Sequence, residues 1–200
     1  MKLRGLYAVT PELADSELLL RMVAQALEGG IAMLQYRHKD RQNLQEARAL
    51  AALCHRAGAP FIVNDNLELA LECGANGVHL GRDDGDAASA REKLKGKLLG
   101  VSCYDSLAAA RVAVAAGADY VAFGSVFASP TKPAAVRAPL SLFADARAFG
   151  VPLVAIGGIT LENAPPLLKA GADALAVISD LFDAPDIAGR ARAYGKVFSS

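Results

Sequence analysis

The chain has 200 residues, of which 53% are hydrophobic and 21% are charged, a composition that supports a sizeable core and argues against disorder. Lys and Arg number 21 and Asp and Glu number 21, so no basic excess attracts nucleic acid, and an aromatic content of 6% leaves few stacking surfaces for single strands. No apolar run approaches the roughly 20 residues that span a bilayer, and the N-terminus lacks the plan of a signal peptide.

Short apolar runs alternate along the chain with longer segments of helical period. The predicted strands are 6–10, 33–37, 61–65, 78–81, 98–102, 120–125, 153–158 and 174–179. The predicted helices between and after them are 16–28, 43–56, 67–73, 86–95, 105–116, 140–148, 161–170 and 185–198. Because the strands are nearly continuous in apolar residues, they are typical of a parallel sheet that is buried on both faces.

An internal repeat supports a closed arrangement of these units. Ala-Gly-Ala-Asp at 116–119 recurs at 170–173 and, as Cys-Gly-Ala-Asn, at 73–76, and Glu-Gly-Gly at 28–30 is a weaker fourth copy. Each glycine fits the left-handed position that ends a helix, and the copies precede the even-numbered strands only. Odd and even strands differ in this way when a barrel fills its interior in alternating layers.

We therefore predict an α/β protein with a single (β/α)8 barrel domain over residues 1–200. A doubly wound open sheet is the alternative. The sequence disfavours it because the first strand is not followed by a GxGxxG turn and the period continues to eight strands. In a (β/α)8 barrel the active site lies at the carboxyl ends of the strands, so the polar residues found there are the candidate site.

Strand 2 ends with alternating polar residues, Gln35, Arg37 and Lys39, which are expected to point toward the barrel axis. Two inward cations without a local acid favour a phosphate or pyrophosphate clamp. The alternative is an internal network of ion pairs with Asp65 or Asp84.

Strands 3 and 4 each lead into carboxylates. Asp65 follows Asn64 at the end of strand 3, and Asp83 and Asp84 follow strand 4. Adjacent strands should bring Asp65 near Asp83 or Asp84. A close pair of carboxylates suits Mg²⁺ with phosphate oxygens and water, and Asp65 and Asp84 are the favoured ligands. The alternatives are an N-cap on the next helix for Asp65, a solvated loop for Asp83 and Asp84, or an acid and base pair.

Two further strand positions carry polar groups. His79 lies within apolar strand 4, where a histidine is more often a satisfied core residue than a ligand. Strand 5 ends at Ser102, which lacks a nucleophile elbow and is therefore expected to donate a hydrogen bond into the mouth. The neighbouring Cys103 is expected to be a small packed thiol.

The last three strands end in a second set of anion-binding groups. The long loop after strand 6 contains Ser129, Thr131 and Lys132, and its composition favours closure over a phosphorylated substrate rather than a plain connection. Gly157 and Gly158 follow strand 7, and Ser179 follows strand 8, where barrels commonly bind phosphate through backbone amides. Two anion sites suggest two phosphorylated substrates or a bisphosphate.

Taken in this order and spacing, these residues resemble the thiamin phosphate synthase family over nearly the whole chain. The family motifs are Gln-x-Arg-x-Lys, Asn-Asp, Val-His-Leu-Gly-x-x-Asp, Gly-x-Ser, Thr-Lys and Ile-Gly-Gly-Ile. They are matched here by Gln35, Arg37, Lys39, Asn64, Asp65, 78–81 with Asp84, Gly100, Ser102, Thr131, Lys132 and 156–159.

The resemblance implies an Mg²⁺-dependent transferase of thiamine biosynthesis, which joins an aminopyrimidine pyrophosphate to a thiazole phosphate and releases pyrophosphate. It implies that Asp65 and Asp84 hold the metal. It also implies that Arg37, Lys39, Ser102 and Lys132 act on the departing pyrophosphate. The further substrate contacts that it implies are Gln35, Asn64, Ser129, Thr131, Gly157, Gly158, Ile178 and Ser179.

Several residues depart from the family pattern. Arg82 stands where Gln is common, Ser125 where Pro is common, Ser129 where Thr is more usual, and Asp180 where a small residue is more usual. An acid at 180 would be unfavourable beside a bound phosphate unless its side chain points away.

Two other functions remain as alternatives. A thiazole tautomerase of the same superfamily relies on a His after strand 5, where this chain has Cys103, Tyr104 and Asp105. A non-catalytic phosphate-binding or regulatory barrel would not need paired carboxylates facing cations. Both alternatives are therefore disfavoured.

The cysteines and the charge balance bear on the setting of the protein. The three cysteines are odd in number and have no CxxC spacing, which predicts reduced thiols in a cytoplasmic protein rather than a disulfide framework or a zinc site. The expected partners are small-molecule substrates, with neither nucleic acid nor membrane. Whether the chain forms a homo-oligomer is left open.

Overall fold

The computed structural model describes residues 3–39, 41–81, 84–128 and 137–199. Its parallel strands form a closed barrel in chain order. They are β1 (Gly5–Val9), β2 (Met33–Tyr36), β3 (Phe61–Asn64), β4 (Gly77–Leu80), β5 (Leu98–Tyr104), β6 (Tyr120–Phe123), β7 (Leu153–Ile156) and β8 (Ala174–Val177). Because β1 pairs with both β2 and β8, the sheet has no free edge. The predicted barrel is confirmed and the open sheet is excluded.

Helices follow the strands around the outside of the barrel. They are α1 (Ser16–Glu28), α2 (Leu44–Ala57), α3 (Leu67–Glu72), α4 (Ala87–Leu94), α5 (Leu107–Ala115), α6 (Ser141–Ala146), α7 (Pro165–Ala170), α8 (Ser179–Phe182) and α9 (Ile187–Val197). A 3₁₀ turn, Arg147–Phe149, extends α6. Within the described ranges, no helix combines the length and the apolar character that a bilayer span requires.

Side-chain caps account for many of the helix starts. Short polar residues accept a hydrogen bond from a backbone N–H in the first turn, which typically stabilises a helix by about 1 kcal/mol. The capping residues are Asp15, Asn43, Asn66, Asp86, Ser106 and Asp186. Helix α7 begins instead at Pro165, whose ring cannot donate a backbone hydrogen bond and so suits a first turn. The predicted start at 161 was therefore about one turn too early.

The core has two layers. The larger layer lies between the outer face of the barrel and the helices, and the smaller one fills the barrel interior. Alternate residues of β1 belong to different layers, since Tyr7 and Val9 face inward while Leu6 and Ala8 pack against the helices. The interior is not wholly apolar, because the side chains of Tyr7 and Tyr120 meet there through their hydroxyl groups.

The predicted repeat has a structural role at the amino ends of the strands. The side chains of Asn76, Asp119 and Asp173 each accept a hydrogen bond from the backbone N–H of Phe61, Leu99 and Leu153, respectively, at distances of 2.8–2.9 Å. In turn, the backbone N–H groups of Asn76, Asp119 and Asp173 donate to the carbonyl oxygens of Phe61, Leu99 and Leu153, respectively. One residue thus satisfies both backbone groups at the start of an odd strand.

After the weaker fourth copy at 28–30, the position before the strand that corresponds to Asp119 is Ala32. Its backbone donates to the Leu6 carbonyl at 2.8 Å, but an alanine has no side-chain acceptor. Close packing takes the place of that bond, because a β-carbon on Gly5 would lie 2.9 Å from the β-carbon of Ala32.

Replacement of Asp119 tests this role of the repeat. Asp119→Ala should lower the free energy of unfolding by about 1–3 kcal/mol, since the buried Leu99 N–H loses its acceptor. Asp119→Asn keeps an acceptor, as Asn76 does naturally, and loses only the partly exposed ion pair to Arg91, so its loss should stay below about 1 kcal/mol. Urea denaturation of the two variants measures the difference. Equal losses would contradict the role assigned to the backbone hydrogen bond.

Candidate active site

The alternation of β2 predicted that Gln35, Arg37 and Lys39 point toward the barrel axis, and the structure places the Gln35 side chain in the barrel interior. The Gln35 side chain is buried and its Nε2 donates to the Tyr7 hydroxyl at 2.7 Å. Arg37 is held by its backbone, because the buried Thr10 hydroxyl accepts from the Arg37 N–H at 2.8 Å and donates to the Arg37 carbonyl at 3.0 Å. Thr10 therefore fixes the backbone at the carboxyl end of β2 and so the point from which the Arg37 side chain extends.

The two cations of strand 2 differ in their surroundings. The Arg37 guanidinium forms a 2.6 Å ion pair with Glu12 from the segment after β1, with side-chain exposures of 22% and 40%. This partner was not foreseen, since the expected acids were Asp65 and Asp84. Lys39 is exposed and forms no ion pair with any described residue. Because the pair is partly solvated, Arg37 can exchange Glu12 for an anionic ligand at modest expense.

The ends of β3 and β4 bring Asp65 and Asp84 together, as the sequence predicted. Partial burial and the neighbouring Asp84 carboxylate raise the pKa of Asp65 to about 6. Asp84 is anchored by the Gly81 N–H, which donates to its Oδ2 at 3.0 Å. A β-carbon on residue 81 would lie 2.4 Å from that oxygen, so a larger residue there would displace the Asp84 carboxylate. Two carboxylates in contact are a site of concentrated negative charge.

The local backbone turns Asp65 toward this pair. Asp65 has φ of +63°, a left-handed conformation that is uncommon outside glycine, and its N–H donates to the His79 carbonyl at 2.8 Å. Asn66, one residue later, caps α3, and the Asn64 side chain donates to the Asp65 carboxylate. The alternative role of Asp65 as an N-cap is therefore wrong, which leaves its carboxylate available to a ligand.

The carboxylate pair fits a hard divalent cation by its donor chemistry. Mg²⁺ is usually held by one or two protein carboxylates together with phosphate oxygens and water. No cluster of three or more His, Cys, Asp or Glu side chains occurs in the described part of the chain. This arrangement suits a cation that arrives with a phosphorylated ligand. Asp83, the other carboxylate considered after strand 4, lies outside the described residues, as does Arg82.

Ser102 lies at the mouth and is tied to the barrel interior. Its Oγ is 2.8 Å from Nε2 of His79, and Nδ1 of His79 is 3.1 Å from the Tyr120 hydroxyl. His79 is thus a satisfied core residue, as expected, and its burial lowers its pKa to about 4. Strand β5 continues to Tyr104, beyond the predicted end at 102, with a register shift between Ser102 and Tyr104. Such a bulge re-aims the side chains beside it.

The neighbouring thiol is a packing group. Cys103 is fully buried, and burial raises the pKa of its thiol to about 12. A thiol with so high a pKa is a poor nucleophile at neutral pH. The described residues therefore offer no activated serine or cysteine at this end of the barrel.

Backbone amides line the mouth after β7 and β8. The N–H groups of Gly157, Gly158 and Ser179 make no hydrogen bond to another described residue. The carbonyl of Gly157 accepts from Phe127 N–H at 3.1 Å, and a β-carbon at 158 would lie 2.3 Å from the Ala128 carbonyl oxygen. Close approach of the segment after β6 thus requires these glycines. Ile178 precedes α8 as its N-cap residue and packs against the barrel interior.

Asp180 points away from these amides. Its Oδ2 accepts from the Tyr194 hydroxyl at 2.7 Å and from the Leu161 N–H at 3.2 Å, and it faces Arg190 at 3.3 Å. The acid therefore binds α8 to α9 and to the segment after β7. With its side chain turned away, Asp180 does not repel a phosphate bound at these amides, which is the condition stated for an acid at this position.

The loop after β6 is described only at its base. Ser125, which replaces a common Pro, donates its hydroxyl to the Phe127 carbonyl at 2.6 Å and accepts from Ala138 N–H through its own carbonyl at 3.0 Å. The candidate residues Ser129, Thr131 and Lys132 lie outside the described residues.

Four contributors escaped the sequence reasoning. Glu12 and Thr10 support Arg37, while Tyr7 and Tyr120 join Gln35 to His79. A signal existed for the tyrosines, because a hydroxyl on an inward position of an apolar strand needs a partner. Glu12 lies in a loop, whose course no periodicity predicts.

Known proteins match this chain over nearly its full length. Residues 6–181 match the family described as thiamine monophosphate synthase. The chain is 57% identical over 204 residues to a thiamine-phosphate synthase of Aromatoleum aromaticum, covering 100% of this chain and 98% of that protein. It is 56% identical over 203 residues to the enzyme of the same name from an Azoarcus species, and the match covers 99% of this chain and 98% of that protein.

A solved structure gives the same result for the fold. The thiamine phosphate pyrophosphorylase of Pyrococcus furiosus superposes with a TM-score of 0.86 at 34% sequence identity. The match covers 99% of this chain and 96% of that one.

The carboxylate pair makes a testable contribution to stability. Since the pKa of Asp65 is higher in the folded protein than its ordinary value of 3.8, the folded state binds the extra proton between about pH 6 and pH 4. Without divalent cations, Asp65 should therefore contribute a rise in the free energy of unfolding as the pH falls through this window, added to the opposite contribution of buried His79, whose pKa is lowered to about 4. Asp84→Asn removes the neighbouring charge and should flatten that rise.

The control is Asp145→Asn on the exposed face of α6, which should leave the pH dependence as it is in the wild type. Urea denaturation at several pH values gives the comparison. An unchanged pH profile in Asp84→Asn would show that the two carboxylates do not interact.

Proposed function

The chain belongs to the thiamine monophosphate synthase family, and we propose that the mouth of its barrel joins an aminopyrimidine pyrophosphate to a thiazole phosphate. Its activity is that of a thiamine-phosphate synthase, a transferase. The observation that carries the assignment to this site is the contact of Asp65 with Asp84 at the same end of the barrel as Arg37 and Lys39. Paired carboxylates beside cations suit a pyrophosphate that is bound together with a divalent cation.

The reaction is a substitution at the methylene carbon of the pyrimidine. The bond from this carbon to pyrophosphate oxygen breaks, and its electron pair leaves with pyrophosphate. The electron-rich aminopyrimidine stabilises the resulting cation, and the lone pair of the thiazole nitrogen then forms the new carbon–nitrogen bond. No protein nucleophile is required, in agreement with the buried, high-pKa thiol of Cys103 and the hydrogen-bonded Ser102.

Asp65 and Asp84 would hold Mg²⁺. When bound, this ion supplies positive charge that neutralises the pyrophosphate leaving group. The fit rests on the donor set, since two hard oxygen ligands lie in contact and Gly81 leaves room beside them. Burial and the neighbouring Asp84 carboxylate raise the pKa of Asp65, and a divalent cation would relieve the repulsion between the two carboxylates.

The remaining residues are proposed to contact one or the other of the two substrates. Arg37, Lys39 and Lys132 would contact the pyrophosphate, and Ser102 would donate a hydrogen bond to it. The other proposed contacts are Gln35 and Asn64 to the pyrimidine substrate, Ser129 and Thr131 to the region where the substrates meet, and Gly157, Gly158, Ile178 and Ser179 to the thiazole phosphate.

The proposed setting follows from the same chemistry. Cys54, Cys73 and Cys103 are free and buried, as suits reduced thiols, and we place the protein in the cytoplasm with small molecules as its partners. The stretch after β5 lacks the His on which the tautomerase alternative relies, so no observation favours that second activity.

Pyrophosphate release tests the activity. Purified protein should release pyrophosphate only when both substrates and Mg²⁺ are present, and omission of any one should abolish the signal. Asp84→Asn and Lys132→Ala should each lower the rate by about 10²–10³-fold with an unchanged circular dichroism spectrum, because each removes a preorganised charge. Full activity in either variant would contradict its assigned role, and release without a thiazole substrate would indicate a hydrolase.

A second prediction concerns the thiazole phosphate side. Asp180→Ala removes the acceptor that binds the Leu161 N–H, and should raise KM for thiazole phosphate by about tenfold while leaving KM for the pyrimidine substrate unchanged. Tyr194→Phe is the matched control, because it removes one donor to Asp180 and leaves the bond to Leu161. Equal changes in both KM values would point to a general loss of structure.

A further inference from the structure

A row of hydrogen bonds crosses the barrel interior beneath the mouth. Gln35 Nε2 lies 2.7 Å from the Tyr7 hydroxyl, which lies 2.8 Å from the Tyr120 hydroxyl. The Tyr120 hydroxyl lies 3.1 Å from His79 Nδ1, and His79 Nε2 lies 2.8 Å from Ser102 Oγ. We call these five residues the interior chain. It joins two groups of the proposed site, Gln35 on β2 and Ser102 on β5, through three buried side chains.

The number of available protons fixes the direction of hydrogen-bond donation along the interior chain. A Gln amide nitrogen can only donate, so the Tyr7 oxygen accepts from Gln35 and its own proton must go to Tyr120. Tyr120 then gives its proton to His79 Nδ1, which leaves the proton of the neutral imidazole on Nε2. Nε2 donates to Ser102, whose hydroxyl proton is thereby free to point into the mouth.

The opposite order follows if Gln35 presents its amide oxygen instead. The Tyr7 proton then goes to that oxygen, and the Tyr120 proton goes to Tyr7. Nδ1 of His79 carries the imidazole proton, and Nε2 accepts the proton of Ser102. In this order Ser102 turns a lone pair rather than a proton toward the mouth, which is unfavourable beside an anionic leaving group.

We propose that the Gln35 amide acts as a switch that sets the tautomer of His79 through Tyr7 and Tyr120, and thereby makes Ser102 a hydrogen-bond donor. Tyr7, Tyr120 and His79 are positioning residues for Ser102. On the basis of the proposed function, the amino group of the pyrimidine can donate to the Gln35 oxygen, which keeps Nε2 on Tyr7. Pyrimidine binding thus holds the order in which Ser102 offers its proton to the pyrophosphate.

The packing around the interior chain is built for these contacts. A β-carbon on Gly100 would lie 2.3 Å from the Tyr120 hydroxyl oxygen and 2.6 Å from His79 Nδ1, so only glycine leaves space for that hydrogen bond. The Tyr120 ring packs edge-on against Tyr7, with centroids 5.9 Å apart. Burial raises the pKa of both phenols, so both keep the protons that the chain requires.

The tautomer of His79 is measured directly by the ¹⁵N chemical shifts of its ring. The protein has three histidines, and the signals of His79 are identified by their loss in the His79→Gln variant. Wild-type protein should show the proton on Nε2. Gln35→Glu, whose carboxylate only accepts, should move the proton to Nδ1. The double variant Tyr7→Phe with Gln35→Glu lacks the hydroxyl that connects residue 35 to Tyr120. Tyr120 should then donate to Nδ1 of His79 again, so the imidazole proton should return to Nε2.

Two results would overturn the proposal. The first is the same tautomer in wild type and Gln35→Glu. The second is an Nδ1 proton that persists in the double variant, which would mean that the introduced carboxylate acts on His79 through space. Circular dichroism confirms folding of each variant, and Tyr7→Phe alone serves as the control for the loss of a hydroxyl, with the proton expected on Nε2.

Turnover supplies a second readout. Tyr120→Phe should lower kcat about tenfold with little change in KM for thiazole phosphate, and should have no further effect in a Ser102→Ala background. Independent, multiplicative losses would contradict action through Ser102. Because the tautomer measurement needs no substrate, it stands even if pyrophosphate release fails, so failure of the switch and failure of the proposed function are distinguishable.

Discussion

The constraint on which this structure depends is that polar groups inside a closed barrel must be paired with one another. At the amino ends of the strands, Asn76, Asp119 and Asp173 satisfy backbone groups that the helices cannot reach. In the interior, Tyr7 and Tyr120 satisfy each other and extend the pairing to both sides. An unpaired buried group would typically destabilise the fold by about 1–3 kcal/mol. Among the described residues, the backbone amides of Gly157, Gly158 and Ser179 remain unpaired at the mouth, where a ligand can pair with them.

The fold was predictable from the sequence where one physical rule dominates. Apolar runs, glycines at helix ends and the recurring Gly-Ala-Asp motif predicted a barrel, and the strands lie within a few residues of the predicted ranges. The differences have local causes that periodicity does not contain. Pro165 sets the start of α7, and a register shift lets β5 run on to Tyr104.

The site was predictable to the extent that it lies on strand ends. Asp65 and Asp84 meet because neighbouring parallel strands end at the same edge, and the alternation of β2 placed Gln35 in the interior. Contacts between distant parts of the chain were not predictable. Glu12 reaches Arg37 from a loop, and Tyr120 reaches His79 across the barrel, so neither pairing has a signature in local sequence.

The central claim is that Asp65 and Asp84 help to bind pyrophosphate by holding a divalent cation. Calorimetric titration of the protein with pyrophosphate, with and without Mg²⁺, tests it most directly. The account predicts tight binding only when Mg²⁺ is present, and loss of that enhancement in Asp84→Asn while Asp145→Asn behaves as wild type. Equal affinity with and without Mg²⁺, or an enhancement that survives in Asp84→Asn, would contradict it.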